Sequence, residues 1–265
     1  PDNLFLLGRP GLTTLLTVTS ATAIKAIFYE TRSGRIFCVS LRGDASTRLV
    51  EVFLNGTQTD RGELAAAGGT TVPASISSNG TELLVINPET TETAHIFTLA
   101  TNALTSVVAS VAEGEPIAGE FLKAKFIALG RNGRIYISAL NDGLTWNALD
   151  VATPELGPDF ARMIKVRGDD LGIFGDDTVE WWFDSGNADF PLELLEGVAI
   201  QAGVLYRNSV ATLENAVYWV GRGREGGAVV WRAGAYRPQR ISNHAVENSL
   251  QTQALTGAAP VAWTA

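Results

Sequence analysis

The sequence predicts an all-β fold, a β-propeller of four-stranded antiparallel blades, and three observations carry that prediction. Apolar runs are short, rich in Val, Ile, Phe, Tyr and Trp, and bounded by Gly, Asn, Asp and Pro, which is how strands are punctuated. The runs come in pairs joined by tight-turn residues. The pairs also recur. With Gly34, Gly80, Gly133, Asp170 and Asn215 as markers the spacings are 46, 53, 37 and 45 residues, close to the length of a propeller blade. A large β-sandwich is the alternative, because it gives short strands at regular spacing without repeating at blade length.

In chain order, residues 26–29 pair with 35–40 across Ser33-Gly34. Residues 83–87 pair with 95–99 after the Asn79-Gly80 turn, and 125–129 with 134–139 across Asn132-Gly133. Residues 171–175 pair with 179–183 after Asp169-Asp170, and 216–221 with 229–232 after Asn215. Gly and Asn supply the positive backbone angles of tight turns. No stretch shows a sustained 3.6-residue period, so no long helix is expected. The prediction is one propeller-like domain over 1–265, with about five blade-like units and a partial further blade after Pro260. Ring closure is left open. Beginning at Pro1 and stopping at Val261-Ala262-Trp263-Thr264-Ala265, in what reads as the opening of a strand, the sequence is expected to be a piece of a longer polypeptide.

With 265 residues and 46% hydrophobic content, burial alone can hold the chain together. Cys38, the one cysteine, cannot form an internal disulfide and reads as a small buried hydrophobe. A net charge of -8 argues against a surface that coats nucleic acid, since neutralising phosphates takes clustered Lys and Arg. No run of 18 or more apolar residues suggests a membrane span, and no membrane partner is expected.

Chemistry-bearing motifs are few. Ala139-Leu140-Asn141-Asp142-Gly143-Leu144-Thr145-Trp146 comes close to the Asp-box turn of sialidase-like propellers, Ser/Thr-x-Asp-x-Gly-x-Thr-Trp, departing at Ala139 and Asn141. That motif locks a hairpin and packs its Trp; it does not catalyse. A glycosidase needs two carboxylates, or a Tyr nucleophile with an acidic partner and an arginine cluster. Glu180, Asp184, Glu193 and Arg240 qualify by type only, because no spacing selects them. The aspartates of Gly168-Asp169-Asp170 and Gly175-Asp176-Asp177 lack the alternating ligand run of a calcium loop and read as hairpin turns. His95 and His244 stand alone, without metal spacing. Gly221, Gly223, Gly226 and Gly227 connect two strands rather than cradle a phosphate, and the Asn55-Gly56-Thr57 and Asn79-Gly80-Thr81 sequons are explained by turns. Adjacent Trp181 and Trp182 point to opposite faces of a strand, and burial of both is weighed against an exposed aromatic patch. No catalytic residue, cofactor or metal is assigned.

A long ordered series carries a family resemblance. It runs from Ser138-Ala139-Leu140-Asn141-Asp142-Gly143 and Trp146 through Phe174-Gly175, Glu180-Trp181, Ser185-Gly186 and Phe190-Pro191. It continues through Gln201-Ala202-Gly203 and Trp219-Val220-Gly221 to Arg240-Ile241-Ser242-Asn243-His244 and Glu247, with Pro10-Gly11-Leu12 near the start. This resembles the packaged-DNA stabilisation proteins of short-tailed phages, also described as tail hub or head-completion proteins. The match is strong from 138 to 247 and weaker between 21 and 69. The resemblance implies a structural virion protein of the tail. It would sit as a homo-oligomeric ring, a hexamer, below the portal, touch portal, adaptor and other tail proteins, and extend the tail tube. It would help retain packaged DNA without reading its sequence and govern its ejection. An acidic channel lining would suit sliding DNA. Asp142, Gly143, Trp146, Phe174, Gly175, Glu180, Trp181, Gly186, Phe190, Pro191, Trp219, Gly221, Arg240, Ser242 and His244 are its signature positions, expected to serve architecture. Arg240 is expected to pair with Glu180 or Glu247. The competing readings are a sialidase-like glycan-cleaving propeller, with acids converging in a pocket, and a carbohydrate- or receptor-binding tail module with an exposed aromatic shelf.

Overall fold

The computed structural model describes residues 16–88, 94–107, 115–154, 160–187, 190–223 and 226–255. Pro10-Gly11-Leu12, Ala188-Asp189 and the segment after Pro260 lie outside them.

Five four-stranded antiparallel sheets follow one another along the chain, each a simple meander. The first holds β1 (Ala21–Glu30), β2 (Arg35–Arg42), β3 (Thr47–Val52) and β4 (Gln58–Ala65). The second holds β5 (Ser75–Ser78), β6 (Glu82–Ile86), β7 (Ala94–Thr98) and β8 (Ala103–Ser106). The third holds β9 (Pro116–Leu122), β10 (Lys125–Gly130), β11 (Ile135–Ala139) and β12 (Asp142–Ala152). The fourth holds β13 (Ala161–Arg167), β14 (Asp170–Gly175), β15 (Val179–Asp184) and β16 (Leu192–Leu194). The fifth holds β17 (Ala211–Leu213), β18 (Ala216–Arg222), β19 (Ala228–Ala233) and β20 (Pro238–Arg240). First strands contact one another in sequence, β1 with β5, β5 with β9, β9 with β13 and β13 with β17, so they lie nearest the common axis. This is propeller architecture rather than a sandwich.

Central strands are covered on both faces, which is why their sequences are apolar without alternation. In β6, Leu83 and Val85 join Phe37, Val39 and Leu49 of the first sheet, whereas Leu84 and Ile86 join Phe126, Ala128 and Tyr136 of the third. The same division places Trp182 with Ile127, Leu129 and Ile135 toward the third sheet, and Trp181 with Val217 and Trp219 toward the fifth. Both tryptophans are buried, on opposite faces. Four apolar clusters thus join five sheets. Each fully buried Leu, Ile or Phe contributes about 1.5–3 kcal/mol. Among the described residues no such cluster joins the fifth sheet to the first. They form an arc.

The repeat is tighter than the sequence markers imply. Second strands begin at Arg35, Glu82, Lys125, Asp170 and Ala216, at intervals of 47, 43, 45 and 46 residues. Asn132-Gly133 is the turn between second and third strands of its blade, whereas the other markers lie at or beside the first turn. The true counterpart is Lys123-Ala124, where both residues take positive φ, 43° and 69°, without glycine. No turn composition flagged it.

A helix that the periodicity did not predict, α1 (His244–Leu255), follows β20. Asn243 starts it: its Oδ1 accepts the Val246 N–H at 3.0 Å, and its carbonyl accepts from Glu247. His244, Ala245, Val246, Asn248 and Ser249 are exposed, so no apolar stripe exists to be read. No described helix is long and apolar enough to cross a membrane.

Two buried titratable groups follow from this packing. Burial pushes the Cys38 thiol up to about 11, in keeping with a small hydrophobe. Burial also pulls His95 down to about 4, and its Nδ1 has no hydrogen-bond partner. The folded state therefore holds a neutral imidazole, while the unfolded chain takes up a proton below pH ~6.5. Stability from this group is full above that pH and is lost as pH falls toward 4. Between pH 7 and 5 wild type is expected to lose about 2 kcal/mol that His95→Leu retains, read from urea midpoints at the two pH values. Equal losses would exclude His95 as the source.

Candidate functional site

The signature residues fall into three groups. Asp142, Gly143 and Trp146 lie at the start of β12, just past its turn from β11. Asp142 Oδ1 accepts the Leu144 N–H at 2.9 Å, and the Trp146 indole donates to the Gly143 carbonyl at 2.6 Å. Hydrogen bonds from the Thr145 side chain and then the Leu144 amide hold the Asp142 carboxyl below its usual range. A Cβ on Gly143 would come within 2.5 Å of Ile96 Cδ1 in the second sheet and 3.0 Å of Phe126 Cε2, so any larger residue would force these buried side chains to shift. The near-Asp-box is an architectural turn, as its sequence suggests.

Phe174, Gly175, Glu180, Trp181, Gly186, Phe190 and Pro191 belong to the fourth sheet, and Trp219 and Gly221 to the fifth. Phe174 stands edge-on to Trp219 with centroids 5.5 Å apart. Arg167, only 6% exposed, stacks between Trp181 at 4.2 Å and Tyr236 at 4.4 Å. Its guanidinium also donates to the Gly234 carbonyl and to Asp170. The linker between these sheets is stitched to both: Val179 and Ile200 exchange backbone hydrogen bonds, Gly203 donates to Asp177, and Val204 donates to Gly175. Trp219 Nε1 donates to the Ala202 carbonyl at 2.9 Å. A Cβ on Gly221 would lie 2.4 Å from the Gly203 carbonyl oxygen, and a Cβ on Gly203 would lie 2.3 Å from the Asp176 backbone, so the linker fits between the two sheets only with glycine at both positions. Phe190 packs on the cluster between third and fourth sheets, and the Pro191 carbonyl accepts from the Ser185 amide and hydroxyl. Gly186 lies in the exposed turn between β15 and β16, its N–H donating to Asp184 Oδ1 at 2.9 Å.

Arg240, Ser242 and His244 surround Glu247. Arg240 grips that carboxylate bidentately at 2.8 and 2.6 Å, Ser242 donates to it at 2.6 Å, and His244 Nδ1 lies 3.4 Å away. Arg240 first and Ser242 next hold the Glu247 carboxyl low. Ser242 Oγ also accepts the Val230 N–H at 3.0 Å, so one clasp pins α1 to β19. Of the two partners expected for Arg240, Glu247 is the one it meets. Glu180 is buried elsewhere, accepting from the Trp182 indole at 2.9 Å.

Sequence reasoning missed a recurrent device. In four of the five sheets the first residue of the second strand reaches the connection between third and fourth strands of the next blade, or a strand residue beside it. Arg35 donates to the Leu99 carbonyl and to Asn102 Oδ1, at 2.9 and 2.6 Å. Glu82 accepts the Gly143 N–H at 2.8 Å, Lys125 meets Asp184 at 3.4 Å, and Asp170 accepts from the Tyr236 hydroxyl at 2.5 Å. The fifth equivalent, Ala216, has no polar side chain and ends the series. Correct phasing of the repeat would have exposed the pattern Arg, Glu, Lys, Asp, Ala.

The residues a glycosidase would recruit are dispersed or already engaged. Glu180 faces the third sheet, Asp184 meets Lys125, Glu193 is exposed on β16 and Arg240 holds Glu247. Among the described residues no group of three or more His, Cys, Asp and Glu could hold a metal. The acidic excess expected to line a channel is not on the strands nearest the axis. Their charged residues are Lys25, Glu30, Glu120, Arg162, Lys165 and Arg167, four cations against two carboxylates. A cavity of about 800 Å³ lies between α1 and the β18–β19 hairpin, lined among others by Trp231, Arg240, His244, Asn248 and Gln251.

Comparison with known proteins agrees with this geometry. The model of a family described as "Phage_stabilise: Bacteriophage P22 Gp10, beta-propeller" matches residues 2–259. No curated protein matches the chain. Among solved structures, a protein from Lactobacillus plantarum superposes with TM-score 0.53 at 14% identity, over 78% of this chain and 67% of that one. A protein from Bacteroides uniformis, provisionally described as a 6-phosphogluconolactonase, gives 0.52 at 14% identity over 79% and 67%. At that identity both similarities speak for the fold alone.

Proposed function

The chain belongs to the phage-stabilisation family of Bacteriophage P22 Gp10, a structural propeller of the virion, and from that premise we propose that it works as a tail hub. It would extend the tail tube below the portal as a homo-oligomeric ring and help keep packaged DNA in the head until ejection. The observation that carries this reading is the use made of polar residues. Successive blades are latched by Arg35, Glu82, Lys125 and Asp170, and the acids a hydrolase needs are spent in such contacts or kept apart. A latched, apolar-cored scaffold suits a protein that bears load between neighbours, and we assign it no catalytic role. The net charge of -8 disfavours adhesion to DNA along most of the surface.

The test is reconstitution. Phage particles assembled without this protein are expected to lose their DNA, and purified protein is expected to restore retention while adding density below the portal in electron micrographs. Particles that keep their genome without it would exclude the retention role. A second reading, a glycan-binding tail module, is favoured by one observation, the open cleft whose lining includes Trp231, Asn248 and Gln251. Trp231→Ala abolishing adsorption to host glycans while particles stay filled would favour that module. A carbohydrate-cleavage assay addresses the enzyme alternative, since turnover lost with one carboxylate would overturn the hub.

A further inference from the structure

On the face opposite the latches, three arginines from successive blades lie within electrostatic reach of one another. Arg131 lies at the β10–β11 turn, Arg162 near the start of β13, and Arg207 opens the 3₁₀ turn Arg207–Ser209 that leads into β17. The Asn132-Gly133 turn lies against the start of β13: a Cβ on Gly133 would meet Phe160 Cδ1 at 3.5 Å. The 3₁₀ turn packs on both β13 and β18. Two of the cations have carboxylate partners, Arg131 with Glu115 at 2.7 Å and Arg162 with Asp176 at 2.9 and 2.7 Å. Arg207 is half-buried and has neither a hydrogen bond nor an ion pair among the described residues. Burial first, then the like charges of Arg131 and Arg162, depress its pKa.

Among the described residues Arg207 is thus a guanidinium stripped of part of its water, near two cations that already hold carboxylates and without a carboxylate of its own, an arrangement that an anion relieves. We propose that Arg207 anchors an oxyanion site that takes a phosphate group. Its planar fork matches two phosphate oxygens, and three arginines against two carboxylates leave a net positive field that favours the larger charge of phosphate over a carboxylate, which a single fork would saturate. The phosphate is either a free ion or a group on a nucleic-acid backbone. This goes beyond the hub reading, because a hub needs no anion site.

The test uses the full chain. Thermal unfolding in phosphate, compared with chloride at matched pH and ionic strength, is expected to raise the wild-type Tm by about 3 °C. Arg207→Gln is expected to show no such rise and to melt in chloride at or above wild type, since a like-charge strain has gone. Arg207→Lys, which keeps charge without the fork, should retain at most half of the rise. A labelled short DNA duplex separates the sources: binding that is lost in Arg207→Gln identifies backbone phosphate, and a phosphate response without duplex binding identifies the free ion. Equal rises in wild type and Arg207→Gln, or a rise in acetate as large as in phosphate, would overturn the proposal. So would failure of Arg207→Gln to fold, which would make the guanidinium a structural group.

Discussion

Trp181→Ala is expected to cost about 3–5 kcal/mol, the range for removing a large buried aromatic side chain. For a domain of this size that corresponds to a Tm lower by about 10 °C. Trp181 is 0% exposed and meets Phe174, Tyr236 and the Arg167 guanidinium, so its loss opens a cavity at the joint between fourth and fifth blades. Its indole N–H is buried without an acceptor, so no hydrogen bond is lost with the ring and the effect is that of packing and of the guanidinium contact. That makes a sharp comparison possible. Trp219 is equally buried, but its N–H donates to the Ala202 carbonyl. Trp219→Phe strands that carbonyl and is therefore expected to cost about 1–3 kcal/mol more than Trp181→Phe. Urea midpoints for the three variants check both statements. A cost below about 1 kcal/mol for Trp181→Ala would mean that this joint collapses around the gap.

How much of this was legible beforehand depends on what each residue signals locally. The central hairpins of the last four sheets were readable, and in the first sheet the β1–β2 pair, because Val, Ile, Phe and Trp runs bounded by Gly and Asn encode strands and turns within a few residues. Trp181 and Trp182 could be sent to opposite faces by strand geometry alone, although only the structure shows a blade covering each face. Blade phase was harder. Gly133 advertises a turn as loudly as Gly34 and Gly80, yet it is a different turn, while Lys123-Ala124 makes the equivalent bend with no turn residue at all. The helix escaped because Asn243 caps it by a hydrogen bond that leaves no periodic trace, and its faces are mostly polar. The latches were invisible for a related reason. Arg35, Glu82, Lys125 and Asp170 share a position but not a chemistry, and each is matched to a different partner on the next blade.

The latch between first and second blades should be the most sensitive of these, because it rests on a buried charge. Glu51 is 2% exposed and accepts from Arg35 at 2.8 and 2.6 Å and from Arg61 at 2.8 Å. Burial alone would raise its pKa, but the hydrogen bonds from Arg35 and Arg61 outweigh burial and hold the carboxyl low. The same Arg35 lies over Phe37 at 5.0 Å and Phe97 at 5.5 Å, so Glu51 orients the guanidinium that spans the two blades. Glu51→Ala removes the counter-charge and leaves two guanidiniums facing each other, for an expected loss of about 3–5 kcal/mol. Arg35→Ala alone leaves Glu51 its second partner and should cost less. If the coupling is real, the double variant Arg35→Ala/Glu51→Ala will fall short of the sum by about 1–3 kcal/mol, as residues in one network do. Strict additivity in that cycle would show that Glu51 stabilises only its own blade and that the link to Asn102 and Leu99 is held by ring packing. Glu51→Gln distinguishes charge from shape: it keeps an acceptor for one arginine, so a loss as large as that of Glu51→Ala would place the whole effect in the ionised carboxylate.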